Sequence, residues 1–237
     1  MSTSKNKRSI KPGDVISYLE MCTAEGVNLQ RGMNFRLKDG DSVILMSLRS
    51  GAPYNDKVEK EGKILIYEGH DIAQKTEGPN AKTVDQPMTN PSGSLTQNGL
   101  FFRAAENFKK NIQPAEKVKV YEKIKSGIWV YNGIFNLINA IIEKDKLRDV
   151  FKFKLELDES QDGLSGDILD LEHNRLIPSS VKLKVWKRDK GRCVKCGKLD
   201  NLHFDHIIPF SKGGSSLVLE NIQILCARHN LEKRDKI

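Results

Sequence analysis

Residues 191–237 read GRCVKCGKLDNLHFDHIIPFSKGGSSLVLENIQILCARHNLEKRDKI, and two constellations interleave in them. Cys193 and Cys196 enclose two residues, and so do Cys226 and His229, with 29 residues between the pairs. Two intervening residues let a tight turn aim both side chains at one ion, and two such pairs complete a tetrahedron. Three thiolates and an imidazole suit zinc, which is soft enough for sulfur and has no redox chemistry. No ligand position is left open, which marks a structural site. The second constellation is Asp205-His206, Asn221 and Asn230. His206 can take a proton from water near neutral pH. Asp205 is a hard oxygen ligand for Mg²⁺ or a like cation. Asn230 adds an amide oxygen from the following helix, and Asn221 can hydrogen-bond across the turn to hold His206. The blander reading, in which residues 205–209 are the polar end of an ordinary strand, is outweighed by Gly213-Gly214, Asn221 and the Cys-x2-His-Asn run in register behind it.

At Cys193, Cys196, Asp205, His206, Ile207, Pro209, Gly213, Gly214, Asn221, Leu225, Cys226, Asn230 and Lys233 the stretch resembles the HNH nuclease family. The resemblance implies a ββα-metal fold. It also implies His206 as general base, Asp205 and Asn230 as ligands of a catalytic Mg²⁺ or Mn²⁺, and Asn221 as a positioning residue. One position departs from the pattern, because His229 stands where the family has its last cysteine. Either the zinc has three cysteines and one histidine as ligands, or His229 serves the catalytic ion and leaves the zinc site incomplete.

The chain has 237 residues and a net charge of +8, enough length for one large or two smaller domains and a bias toward a polyanionic partner. No apolar run reaches the ~18 residues of a membrane span, and no N-terminal stretch has the apolar core of a signal peptide. Three of the four cysteines fall in the zinc pattern, a usage that suits a reducing cytoplasm rather than a disulfide framework.

Residues 1–12 are polar and basic, a flexible arm. From residue 13 to 157 most signals are those of strands. Ser42–Leu48 and Lys63–Tyr67 are short apolar runs, and segments 118–121 and 128–131 flank Ser126-Gly127 as a hairpin. Phe151, Phe153, Leu155 and Leu157 alternate with Lys152, Lys154 and Glu156, a strand with one wet face. Leu100, Phe101, Ala104, Ala105 and Phe108 share one helix face. Residues 72–97 form a long polar loop. Residues 155–174 hold seven acidic residues and no Lys or Arg, which reads as a linker with one helical turn at Ile168–Leu171. A helix starts at Pro178-Ser179-Ser180 and ends near Gly191. From Ser179 to Ile237 there are 13 Lys+Arg against 6 Asp+Glu, so nearly all the net charge sits where a phosphate must approach.

The region before the linker is similar to SRA domains at SVILMSLRSGAPYND (42–56), IYEGHD (66–71), Asp85-Gln86, Asn98-Gly99-Leu100, Val118-Lys119-Val120 and YNGIF (131–135). SRA domains are β-barrels that flip a 5-modified cytosine out of duplex DNA. The resemblance implies Tyr54 and Tyr67 as the two aromatics around the base and Asp56 as the acceptor of its exocyclic amine. Stacking on aromatics returns roughly 1–3 kcal/mol per base against a few kcal/mol of unstacking, and a carboxylate can accept from cytosine N4.

The expectation is an α+β protein. Residues 1–12 are the arm, 13–157 an SRA-like curved β-barrel with flanking helices, 158–177 an acidic linker, and 178–237 a ββα-metal domain with a structural zinc. Its expected function is modification-dependent endonuclease action on double-stranded DNA carrying 5-methyl- or 5-hydroxymethylcytosine. The setting would be the cytoplasm of a bacterium, or a phage genome. Two strand cuts from one active site per chain point toward a homodimer. The competing readings are an HNH nuclease whose reader takes unmodified DNA or RNA, and an inactive DNA-binding module. The intact His206 speaks against the last.

Overall fold

A computed structural model describes residues 10–233 except 39, 75, 77, 146–147, 159, 161–176 and 210–211. Most of the basic arm and most of the acidic linker, including the helical turn expected at residues 168–171, therefore lie outside the described residues. Strands β1 (Val15–Ser17), β2 (Met33–Asn34), β3 (Ser42–Met46), β4 (Lys57–Glu59), β5 (Ile64–Glu68), β6 (Glu116–Lys125), β7 (Ile128–Asp145) and β8 (Arg148–Leu157) make one sheet. Its order is β2-β3-β6-β7-β8-β5-β4, with β1 paired to β7 off that path, and the β3–β6 pair is parallel. Helices α1 (Tyr18–Glu25) and α2 (Gln97–Lys109) cover it. The C-terminal unit is α3 (Ser179–Arg188), the antiparallel pair β9 (Leu202–His206) and β10 (Ile222–Cys226), and α4 (Ala227–Lys233). The class is α+β, as the sequence implies. No helix among the described residues is long and apolar enough to cross a membrane.

The sheet is covered on both faces at β3, which explains its unbroken apolar run. Ile44 and Met46 join the core around α2, whereas Val43 packs with Met21 of α1 on the other side. Phe101 of α2 meets Phe35 and Phe153 edge to face, at centroid distances of 5.4 and 6.0 Å. α1 is a helix in a stretch whose sequence reads mainly as strands. Ser17 and Glu20 close its N-terminus as a capping box, and Gly26 ends it at φ 68°. The expected hairpin is present, but β7 runs on to Asp145 and bends where its register shifts between Leu137 and Asn139. The polar face of β8 is less wet than its alternation implies, since Lys152 is buried with Glu68 at 2.8 Å.

The two halves of the chain do not stand apart. Val15, Ile124 and Val130 share one hydrophobic core with Val181, Val185, Leu202, Phe204, Ile222 and Ile224. Lys182 of α3, 2% exposed, reaches across to Glu122 on β6 and to Asn132 Oδ1 on β7 at 2.8 Å. Burial pushes the Lys182 ammonium down, and Glu122 works against that shift. Removing one partner of such a pair leaves a buried charge alone and costs roughly 3–5 kcal/mol, a large part of a typical ~5–15 kcal/mol stability. Lys182→Met should lower the urea midpoint accordingly, and adding Glu122→Leu should recover most of the loss. An unchanged midpoint for Lys182→Met would show that the pair is solvated.

Candidate functional site

Residues 193–200 form a knuckle between α3 and β9. Gly197 turns it at φ 74°, and its N–H donates to Cys193 O at 2.8 Å. Cys226 ends β10 and His229 sits one turn into α4. The four ligand atoms of Cys193, Cys196, Cys226 and His229 lie within 4.8 Å of one another. Cys196 Sγ is 3.8 Å from Cys226 Sγ, and His229 Nδ1 is 3.3 Å from Cys193 Sγ and 3.4 Å from Cys226 Sγ. Zinc–sulfur bonds of ~2.3 Å in a tetrahedron give ligand separations of roughly 3.8 Å, so the cluster has the size of a metal site. Burial alone would raise the Cys193 thiol. Backbone N–H groups of Cys226, Cys196 and Lys195 outweigh it and bring the thiol down to about 6, favouring the thiolate that a metal needs. Of the two roles open to His229, the geometry groups it with the cysteines.

β9 ends on Asp205 and His206, which pair with Gln223 and Ile222 of β10. The loop after β9 is clamped by Asn221. Its Oδ1 accepts from Ile208 N at 2.7 Å, and its Nδ2 donates to Ile208 O at 3.0 Å and Ser215 O at 3.2 Å. Gly214 lies so close to this clamp that a Cβ there would sit 1.8 Å from Ile208 O, which only glycine avoids. The closed loop carries Ser216, whose Oγ is 2.8 Å from His206 Nε2. Asp205 Oδ2 accepts from Gln223 Nε2 at 2.9 Å and pairs with Lys233 Nζ at 3.2 Å, and the same ammonium donates to His206 O at 2.6 Å. Asn230 lies one turn before Lys233 on α4, which packs on β9 and β10. A carboxylate and an amide oxygen are hard donors that fit Mg²⁺ or Mn²⁺. Ser216 and Gln223 were not singled out by sequence, because neither carries a motif signal without its partner in place.

Residues 47–56 link β3 to β4 and wall two adjoining clefts. The larger, about 710 Å³, brings Tyr54, Asp56 and Tyr67 together with Tyr18 and Trp129. The smaller, about 500 Å³, adds Glu68, Lys82 and Arg148. Tyr54 is half-buried with Lys82 Nζ 4.2 Å from its ring centroid, whereas Tyr67 is 2% exposed and packs in the α2 core. Asp56 Oδ1 accepts from Glu68 N at 3.0 Å and its Oδ2 from Ser47 N at 3.4 Å. Burial nevertheless raises its carboxyl to about 7. His70 and Asp71, without an assignable role in the sequence, are structural here. Asp71 takes Arg148 Nη1 at 2.6 Å, and the His70 backbone is held by Asn98 at 2.9 Å on both its N–H and its C=O. Gly69 is needed because a Cβ there would lie 2.7 Å from both Asn98 Oδ1 and Gln86 Oε1. Residues 72–97 are thereby pinned in part: Gln86 Oε1 accepts from Phe151 N at 2.8 Å.

Residues 193–236 match the HNH endonuclease family. That span covers both the Cys/His cluster and the Asp205–Lys233 site. No curated protein matches the chain. Among solved structures, the SUVH5 SRA domain with fully methylated CG DNA is 22% identical at a TM-score of 0.44, over 64% of this chain and 91% of that one. The same domain bound to fully hydroxymethylated CG DNA is 22% identical at a TM-score of 0.45, with the same coverage of 64% and 91%. Arabidopsis thaliana SUVH6 in complex with SAM is 19% identical at a TM-score of 0.42, over 69% of this chain and 28% of that one.

The HNH-matching segment brings titratable and polar side chains together at the end of β9. An imidazole is fixed by the buried hydroxyl of Ser216 on the clamped loop, and a carboxylate beside it on β9 is flanked by the Lys233 ammonium. Chemically, such a site can accept a proton from water beside a bound anion.

Proposed function

We propose that this chain is a modification-dependent DNA endonuclease. Its N-terminal half takes a 5-modified cytosine, 5-methyl or 5-hydroxymethyl, into the cleft of Tyr54, Asp56 and Tyr67. Its C-terminal half hydrolyses a phosphodiester of the same DNA. The observation that carries the nuclease reading is the convergence of His206, Ser216, Asp205 and Lys233 on one clamped hairpin. His206 takes the proton of the attacking water, and Ser216 fixes the ring through Nε2 while Asn221 holds the loop that carries Ser216. Lys233 draws Asp205 and the His206 backbone to one point. A divalent cation, Mg²⁺ or Mn²⁺, held by Asp205 and Asn230 would supply Lewis-acid stabilisation of the phosphate charge. Cys193, Cys196, Cys226 and His229 hold a structural zinc. One site per chain cuts one strand at a time, and a homodimer would bring a second site to the other strand.

The reader half is tested by binding. Tyr54→Ala should weaken binding to a modified duplex by ~1–3 kcal/mol, the stacking of one base. Binding to the unmodified duplex, which rests on phosphate contacts, should stay unchanged. Equal losses on both would mean that Tyr54 only supports the fold. The raised Asp56 carboxyl gives a second handle. The ionised form is the stronger acceptor for the cytosine amine, and burial raises the Asp56 carboxyl to about 7. Affinity for the modified duplex should therefore fall as pH drops from 8 to 6. Asp56→Asn should flatten that slope, and a slope that survives the substitution would remove Asp56 from the pocket.

A further inference from the structure

Backbone pairing joins the cleft to the hydrolytic strand through a continuous ladder that ends in one isolated bridge. β5, which carries Tyr67, pairs with β8, β8 with β7, and β7 with β1. Just before β1, Asp14 bridges to His203 of β9, and Phe204 N donates to Gly13 O at 3.3 Å. His203 Nδ1 and Asp14 Oδ1 are 2.5 Å apart, two residues before Asp205 on the same strand. Trp129 of the cleft wall is paired to Ile16, next to Val15 in the core shared by the two halves. Behind this seam Lys182, Glu122 and Asn132 form a closed network. Asn132 Nδ2 donates to Glu122 Oε2 at 3.0 Å, and Lys182 Nζ donates to Asn132 Oδ1 at 2.8 Å. A mispositioned α3 would strand a buried ammonium and a buried carboxylate, so the network penalises alternative dockings more than an apolar seam would.

We infer that the reader and the nuclease act as one rigid body. The Lys182–Glu122–Asn132 network and the Asp14–His203 seam then set the distance from the modified cytosine to the cut, and the length of residues 158–177 does not. This rests on the function proposed above, whose own failure has a separate signature. The ends of the 158–177 connection are held to the body, Asp158 N by Ile134 O at 3.0 Å and Ile177 in the shared core. Lys182 is a positioning residue, since it touches neither the cleft nor His206 in the contacts described.

The test maps cut positions at nucleotide resolution on duplexes with a single 5-methylcytosine, using the full chain with Mg²⁺. An insertion of six Gly/Ser residues between Leu164 and Ser165 lengthens the connection by up to roughly 20 Å. That corresponds to about six base pairs at ~3.4 Å each. The rigid seam predicts one narrow cut window, unmoved by the insertion. A window that shifts or widens by several base pairs in the insertion variant overturns the inference, because the linker then sets the register. Lys182→Met leaves Glu122 charged in the seam and should spread the cuts toward a full helical turn, about 10 base pairs. A narrow window in a folded Lys182→Met protein counts against the network's role. If that variant does not fold, the insertion decides alone. Cutting of modified and unmodified duplexes alike by the wild-type chain would instead bring down the functional reading, and this inference with it.

Discussion

Replacing His206 with alanine should reduce DNA cleavage by roughly 10²–10⁴-fold, the usual contribution of a positioned general base. Binding to the same duplex should remain at the wild-type level, since His206 is only 6% exposed at the end of β9 and lies apart from the cleft of Tyr54 and Asp56. The separation of the two readouts is what gives the test its force. A fold defect would lower both, and a mere phosphate contact would lower binding first. Ser216→Ala should follow the same pattern on a smaller scale, costing about one hydrogen bond, ~1 kcal/mol, or roughly fivefold in rate. Ser216→Thr, which keeps the hydroxyl on His206 Nε2, should restore most of it. Cleavage by His206→Ala at the wild-type rate would remove the hydrolytic role from this hairpin.

Cys196→Ala should release the metal and unfold the C-terminal unit. Structural zinc contributes on the order of 10–16 kcal/mol in small Cys/His units at neutral pH. That matches or exceeds the whole stability of a typical domain, ~5–15 kcal/mol. The ligands are spread over the knuckle, the end of β10 and the first turns of α4, so losing the ion frees α4 from the strand pair. Asn230 and Lys233 leave with α4, and the hydrolytic site comes apart with the knuckle. Damage should also reach the N-terminal half, because Cys193 and Cys226 belong to the core that contains Val15 and Val130. Metal analysis and thermal unfolding of the purified variant check this together. One zinc per chain with a native melting curve would contradict the assignment.

Local signals were readable wherever a side chain's partner lies close in sequence or its type is restrictive. The two x2 ligand pairs, the hairpin at Ser126-Gly127, the apolar face of α2 and the buried run of β3 all come through intact. α1 is absent from the sequence reading although Ser17 and Glu20 form its capping box, because the neighbouring strand-like residues mask that short signal. What the sequence hides is long-range pairing of charge. Lys182 sits among Lys184, Lys187 and Arg188 and looks like one more solvated lysine. Its partner Glu122 is 60 positions away, and no periodicity connects them. Lys152 is concealed in the same way on β8, where alternation places it on a wet face but Glu68 draws it inside. The seam between the halves was invisible for the same reason. An acidic linker implies separable domains, while the residues that close the interface, Asp14 and His203, carry no motif. In the cleft, sequence marks Tyr54 and Tyr67 alike, and only the packing distinguishes a half-buried ring under Lys82 from one embedded in the core.

The central claim is that a modified cytosine licenses hydrolysis by the His206 site. It is tested most directly by incubating the intact protein with Mg²⁺ and three duplexes of identical sequence, carrying cytosine, 5-methylcytosine or 5-hydroxymethylcytosine at one position. One or both modified duplexes should be cleaved, with cleavage lost in His206→Ala, and the unmodified one should be cleaved little. Equal cleavage of all three, or none of any, would contradict the claim.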